Sequence, residues 1–241
     1  GRYLVHGSPK QRSVPPGTPR EVALERAQEC FAHAARAAAG AGVVYCVEPL
    51  ARAETDLINT VAEAVALVDA IGSPALRTMI DCSAAGQSEA QTVPELIERW
   101  WPTAKLAHVQ VNDPNRRGPG QGEMRFAPIL AVLEAVGYDG VLAVEPFDYR
   151  PDGPACAARA IGYLRGLIEA RAEARQADRE ADCSPEFQRL AKKDLQDLGP
   201  LPSSLPFFER RLHLGRTRLC GCRRKSIPSR RNENASVKAT Q

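Results

Sequence analysis

The 241-residue sequence predicts an α/β fold built on a parallel sheet, and three observations carry that expectation. Short apolar runs alternate with longer stretches that open on helix-capping residues and close on glycine. The apolar runs consist mostly of Val, Leu, Ile and Ala with little polar alternation, as strands covered on both faces do. Four of the runs also end in a carboxylate or an amide, each about 30 residues from the last, the length of one strand-helix-strand unit. Short connections between such units imply right-handed crossovers and a sheet whose strand ends share one rim.

The elements follow in order. Tyr3 to His6 reads as a short strand that ends in the polar loop Gly7-Ser8-Pro9-Lys10-Gln11-Arg12. Thr18-Pro19-Arg20-Glu21 has the form of a capping box with proline at the first helical position, and Val22, Leu24, Ala27, Phe31 and Ala34 recur at helical spacing until Gly40 to Gly42. Val43 to Val47 is a strand closed by Glu48-Pro49. Thr60-Val61-Ala62-Glu63 is a second capping box, opening a helix with Val65, Val68 and Ile71 that stops at Gly72. Leu76 to Ile80 is a strand that delivers Asp81. A helix over Thr92 to Trp101 leads into the strand Leu106 to Val111, and a helix over Phe126 to Val136 ends at Gly137. Val141 to Val144 is a strand closed by Glu145-Pro146, and a helix over Gly153 to Ala174 completes the regular part.

Composition divides the chain. From Arg175 onward fifteen Lys/Arg face eight Asp/Glu, although the whole chain carries a net charge of only +3. The expected organisation is therefore a domain over 1–174 and a basic, irregular tail over 175–241, in which only Ala191 to Leu198 has helical character. No apolar run is long enough to cross a bilayer, and Gly1 to Arg12 lacks the pattern of a signal peptide. Seven cysteines, an odd number with several inside apolar runs, point to a reducing, cytoplasmic compartment. Cys220-Gly221-Cys222 has no second ligand pair for zinc, and the adjoining Arg223-Arg224-Lys225 reads as a solvated basic run rather than a nucleic-acid site.

The chemistry concentrates at the strand ends. Glu48, Asp81, Gln110 and Glu145 offer only oxygen donors, which suit Mg²⁺ or Mn²⁺ better than a structural zinc. Three converging carboxylates without a cation would repel each other and need large pKa rises. Val47-Glu48-Pro49-Leu50 and Val144-Glu145-Pro146-Phe147 are near repeats, each holding a carboxylate stiffly at a strand tip. Two such groups on opposite sides of a substrate can take a proton from a carbon beside a carbonyl and return one elsewhere, with an enediolate between, which is isomerase or epimerase chemistry. The loop after Val111, with Arg116 and Arg117 among Gly and Pro residues, can receive a polyhydroxylated or anionic small molecule.

As a set, V-E-P-L-A-R-A-E-T with L-I-N-T after it, M-I-D-C, H-V-Q-V-N-D-P-N-R-R-G-P-G-Q-G and V-E-P-F resemble the xylose isomerase-like sugar isomerases and epimerases, a family that includes ketose 3-epimerases and hydroxypyruvate isomerase. The resemblance covers residues 43 to 147. It implies a (β/α)8 TIM barrel in which the residues matching Glu48, Asp81, Gln110 and Glu145 bind one divalent metal. It also implies that those matching Glu48 and Glu145 form the acid/base pair, and that the one matching Arg116 contacts substrate oxygens. Gln110, where ketose 3-epimerases have histidine, is similar to the hydroxypyruvate isomerases. Ala84 stands where the epimerases have a substrate-contacting histidine, so no particular ketose is implied. Five strands precede Ala174 and resemble the family's fourth to eighth, so the expectation is a barrel truncated at its N-terminus, with open sheet edges.

The expected function is thus a metal-dependent isomerase or epimerase acting on a small sugar, phosphorylated or not, or on a hydroxy-keto acid, with a homo-oligomer possible in principle. A sugar or inositol dehydratase on the same scaffold, or an inactive barrel fragment, remains an alternative. His108 shares a strand face with Gln110 and is a candidate substrate contact as well as a candidate hydrogen-bonded core histidine. His6, with Lys10 and Arg12, stands at another strand end and is a further candidate for the pocket lining. Trp100 and Trp101 are expected to pack helix onto sheet or to meet another subunit.

Overall fold

The computed structural model describes residues 1–182 and the backbone of Lys238 and Ala239. Its strands are β1 (Tyr3–His6), β2 (Val44–Val47), β3 (Leu76–Asp81), β4 (Leu106–Gln110), β5 (Leu142–Val144) and β6 (Lys238–Ala239). They form one sheet in the order β1-β2-β3-β4-β5-β6, every neighbouring pair parallel. Each crossover therefore steps in the same direction, as in a (β/α) barrel and unlike a doubly wound sheet, whose order reverses at a switch point. The first five strands and their helices make a half-barrel. The dipeptide β6 falls in the stretch expected to be irregular, and the Ala191 to Leu198 helix and the Cys220-Gly221-Cys222 motif lie outside the described residues. Contacts divide the chain into two compact units, residues 1–166 with 233–241 and residues 167–232, and the sheet lies wholly in the first.

The helices are α1 (Pro9–Arg12), α2 (Arg20–Ala41), α3 (Val61–Ile71), α4 (Cys82–Ser88), α5 (Val93–Trp100), α6 (Phe126–Ala135) and α7 (Gly153–Asp182). The second capping box forms as expected: the Glu63 N–H donates to Thr60 Oγ1 at 3.2 Å, and the Thr60 N–H to Glu63 Oε2 at 3.1 Å. Thr92 and Glu95 make a similar box at the head of α5. The first box does not form. Pro19 occupies the cap position of α2 with no side-chain hydrogen bond, because the helix begins one residue later than the motif requires. Gly42 and Gly72 end their helices with left-handed φ of 66° and 68°, a region that costs glycine little.

The two faces of the sheet have separate cores. On the helix side, Phe31 and Ala35 of α2, Ala64, Leu67 and Val68 of α3, and Val47 and Leu76 of the strands form one buried cluster. On the other face Cys46, Met79 and Ala107 form a second, with Tyr3 and Val44 packed against it. Cys46, Cys82 and Cys156 are buried and form no disulfide; Cys46 and Cys82 behave as small apolar side chains, the Cys156 thiol donates to the Arg150 carbonyl at 3.3 Å, and Cys30 is exposed. Trp101 packs edge-on against Tyr138 at 5.2 Å, and the Arg99 guanidinium covers the Trp100 ring at 4.7 Å. Among the described residues no helix is long and apolar enough to cross a membrane.

Candidate active site

Register decides which side chains meet. Val5 pairs with Cys46, Asp81 with Gln110, Met79 with His108, and Gln110 with Ala143. A register shift between Thr78 and Met79 brings His108 and Gln110 level with Met79 and Asp81. Because alternate residues share a face, Glu48 follows Cys46 and Glu145 follows Ala143. Glu48, Asp81, Gln110 and Glu145 therefore project from one face at the carboxyl ends of four adjacent strands, where barrel enzymes keep their sites.

Local bonds hold each group. The Glu48 N–H donates to the His6 carbonyl at 3.1 Å, the last rung between β1 and β2 before Pro49 stops the ladder. Asp81 caps α4, accepting the Ala84 N–H on Oδ1 at 2.7 Å, and this bond begins a helix that the sequence reading left out. Gln110 Nε2 donates to Glu145 Oε2 at 2.9 Å. Asn112 links two members on strands that are not adjacent: Nδ2 donates to Asp81 Oδ2 at 2.7 Å, and Oδ1 accepts the Glu145 N–H at 2.6 Å.

The electrostatics are those of crowded acids. Burial, then Asp81 and Glu145, push the Glu48 carboxyl up to about 8, against a smaller lowering by Arg12. Burial raises Asp81 to about 7 despite its bonds from Ala84 and Asn112, and burial also raises Glu145 against the Gln110 bond. Among the described residues no three His, Cys, Asp or Glu side chains are grouped so that they could hold a metal ion. The donor types nevertheless suit a hard divalent cation: burial raises all three carboxylates, Asp81 and Glu145 raise Glu48 further, and Gln110 Oε1 is buried with no hydrogen-bond partner.

The remaining candidates divide. His108 lies on the same face, one pleat below Gln110, stacked on Tyr3 at 5.6 Å with its Nδ1 unpartnered and its pKa lowered by burial. Arg116 is exposed on the rim, its guanidinium 5.0 Å above the Phe147 ring, with φ of 69°. Its carbonyl accepts the N–H groups of Phe147 and Asp148. His6 is not brought to the carboxylates. It pairs with Val47, on the helix face, where its Nδ1 bonds the Tyr45 hydroxyl at 2.7 Å and its ring meets Phe31 edge-on at 5.0 Å. From the end of α1 Arg12 arrives instead, buried, with Nη1 donating to the Glu48 carbonyl at 2.6 Å.

Residues 1–167 match the family described as the xylose isomerase-like TIM barrel. The chain belongs to that family. This xylose isomerase-like chain is 30% identical over 165 residues to the D-psicose 3-epimerase of Ruminiclostridium cellulolyticum, covering 68% of this chain and 54% of that protein. It is 28% identical over 143 residues to the 2-oxo-tetronate isomerase of Cupriavidus necator, covering 58% and 52%. A solved structure of an L-ribulose 3-epimerase superposes with a TM-score of 0.61 at 26% identity, over 73% of this chain and 65% of that one. The chain spans about a third to a half of the length of the curated relatives it matches.

Two groups at the site, Asn112 and Gly7, escaped the sequence reading, and so did one contact in the loop after β4. Asn112 lies two residues after Gln110, so the parity that places His108 and Gln110 on one face also reaches it. Asp113, 2% exposed, accepts the Met124 N–H at 3.3 Å, and a Cβ on Gly122 would stand 2.0 Å from its Oδ1. Gly122 is therefore the residue that lets the loop close over Asp113. A Cβ on Gly7 would stand 2.6 Å from Glu48 Oε2, a proximity that no local signal announces.

Proposed function

We propose that this chain carries the site of a divalent-metal-dependent sugar isomerase or epimerase, acting on a small sugar or hydroxy-keto acid. The observation that carries the reading is the projection of Glu48, Asp81, Gln110 and Glu145 from one sheet face, with all three carboxylates raised by burial and Glu48 raised further by Asp81 and Glu145. These four would hold the cation, Mn²⁺ or Mg²⁺. When bound, it supplies Lewis-acid polarisation of the substrate's carbonyl and hydroxyl oxygens.

Glu48 and Glu145 lie at opposite ends of this set, separated by β3 and β4, so a substrate over the rim has a carboxylate on either side. Glu48 accepts a proton from the carbon beside the carbonyl. Glu145 has Oε2 held by Gln110, which leaves Oε1 to deliver a proton. Delivery to the opposite face of the same carbon inverts it, and delivery to the neighbouring carbon gives an isomer. Arg116 on the rim, backed by Phe147, and His108 below Gln110 are the proposed contacts for substrate oxygens. His6, turned toward α2, has no part in this reading.

Two measurements on the full chain test it. Mn²⁺ is expected to raise the melting midpoint, and Glu145→Gln to lose most of that rise. In D₂O with Mn²⁺, a ketose substrate is expected to gain deuterium at the inverted or transferred position. A midpoint that Mn²⁺ does not move, together with no exchange into any ketose or hydroxy-keto acid, sinks the proposal.

A further inference from the structure

We propose that Asn112 is the positioning residue of this centre: one side-chain amide fixes both the Asp81 carboxylate and the main chain that carries Glu145, and cation binding depends on it. The inference rests on the metal reading above.

Asn112 lies just past β4, between the neighbours it serves, and is 2% exposed. Its Nδ2 donates leftward to Asp81 Oδ2 at 2.7 Å, and its Oδ1 accepts rightward from the Glu145 N–H at 2.6 Å. The amide's orientation follows from the Glu145 N–H, which only donates and so takes Oδ1, leaving Nδ2 to face Asp81. Asp81 Oδ1 is held from the other side by the Ala84 N–H at 2.7 Å. Both oxygens of Asp81 are thus directed by fixed donors, and each keeps a lone pair for a cation. Glu145 lies where the chain turns into Pro146, and the Asn112 bond takes the N–H that β4 no longer pairs. The amide therefore sets the relative positions of two donors on strands that are not adjacent, β3 and β5. Aspartate there would offer no donor to Asp81, and an apolar residue would leave both partners unpaired in a buried place. Hydrogen bonds to ligand carboxylates commonly control metal affinity in this way.

The test titrates Mn²⁺ into the full chain by calorimetry, and records the visible spectrum of the Co²⁺-loaded protein, for wild type, Asn112→Ala, Asn112→Asp and Thr60→Ala. Thr60→Ala is the control for a lost bond between side chain and main chain: Thr60 Oγ1 accepts the Glu63 N–H at 3.2 Å at the head of α3 and touches none of the four strand-end groups. Asn112→Ala is expected to weaken Mn²⁺ at least about tenfold and to alter the Co²⁺ bands, while Thr60→Ala matches wild type in both. Asn112→Asp keeps the volume and the acceptor for Glu145, so it decides the matter should Asn112→Ala not fold. It is expected to bind more weakly in spite of its added negative charge. Affinity within twofold of wild type in the variant that folds, or an equal loss in Thr60→Ala, overturns the inference while leaving the metal reading intact. Wild type that binds neither ion overturns both.

Discussion

Gly7→Ala separates site geometry from stability. Gly7 follows β1, and a Cβ there would stand 2.6 Å from Glu48 Oε2 and 3.6 Å from its carboxyl carbon. Ordinary contact begins near 3.4 Å, so the carboxylate must withdraw by about 0.8 Å. Metal-ligand distances hold to about ±0.2 Å, and a catalytic group must sit within about 0.5 Å of its working place. The displacement exceeds both. The clash meets the far end of a side chain, not backbone, and the Gly7 φ lies outside the left-handed region, so the fold can absorb it. Replacing glycine at a compatible position removes unfolded-state freedom worth about 0.4–1 kcal/mol, which offsets part of the local cost. The expected result is a melting midpoint within about 4 °C of wild type, with Mn²⁺ affinity lower by tenfold or more. Calorimetric titration and a thermal melt read the two quantities on one sample. Unchanged Mn²⁺ affinity in a folded Gly7→Ala protein would refute the assignment of Glu48 as a cation ligand held at that place.

Other expectations follow from the same structure. Glu48 near 8 and Asp81 near 7 lie above their ordinary values, so the folded, metal-free chain holds protons that the unfolded chain releases, and its stability falls as pH rises from about 5 to about 8. Thermal melts at the two pH values check the direction; Glu48→Gln should flatten the slope, and a metal-free protein that gains stability toward pH 8 contradicts it. Thr60→Ala, which breaks the capping box of α3, should cost about 1 kcal/mol in denaturant unfolding without changing Mn²⁺ affinity. Phe126→Ala removes a fully buried ring set edge-on to Tyr163 at 6.3 Å and should cost about 3–5 kcal/mol, read as a lower denaturation midpoint.

Much of the architecture was legible because its signals are local. Strand runs ending at Glu48, Asp81, Gln110 and Glu145 appear within a residue or two of their expected bounds, since apolar runs and the Pro49 and Pro146 breaks act over a few residues. What failed was also local, but weak. Pro9–Arg12 makes a single turn that sets up no apolar period, and Cys82–Ser88 starts from a cap that serves the site as well. The last helix runs to Asp182, past the change in composition at 175, because Arg, Glu, Ala and Gln are good helix formers whatever their charge; Gln176 bonds Glu180 one turn on.

The site was legible in its acids and not in their supports, and the reason is register. Parity along a strand is visible in sequence, so His108, Gln110 and Asn112 can be assigned to one side of β4 from the letters alone. The side that faces inward is set by how neighbouring strands pair, and that depends on crossover helices and on the shift between Thr78 and Met79. His6 shows the consequence. It ends a strand as Glu48 nearly does, yet it pairs with Val47, and Val47 must face the helices if Glu48 is to face inward. A histidine at a strand end is thereby committed to Phe31 and Tyr45, and the single turn of α1 after it returns Arg12 to the Glu48 carbonyl. Residues outside the strands are free of strand parity, which is why Arg12 at the end of α1 and Gly7 before it reach Glu48, and why their proximity is read only from the folded chain.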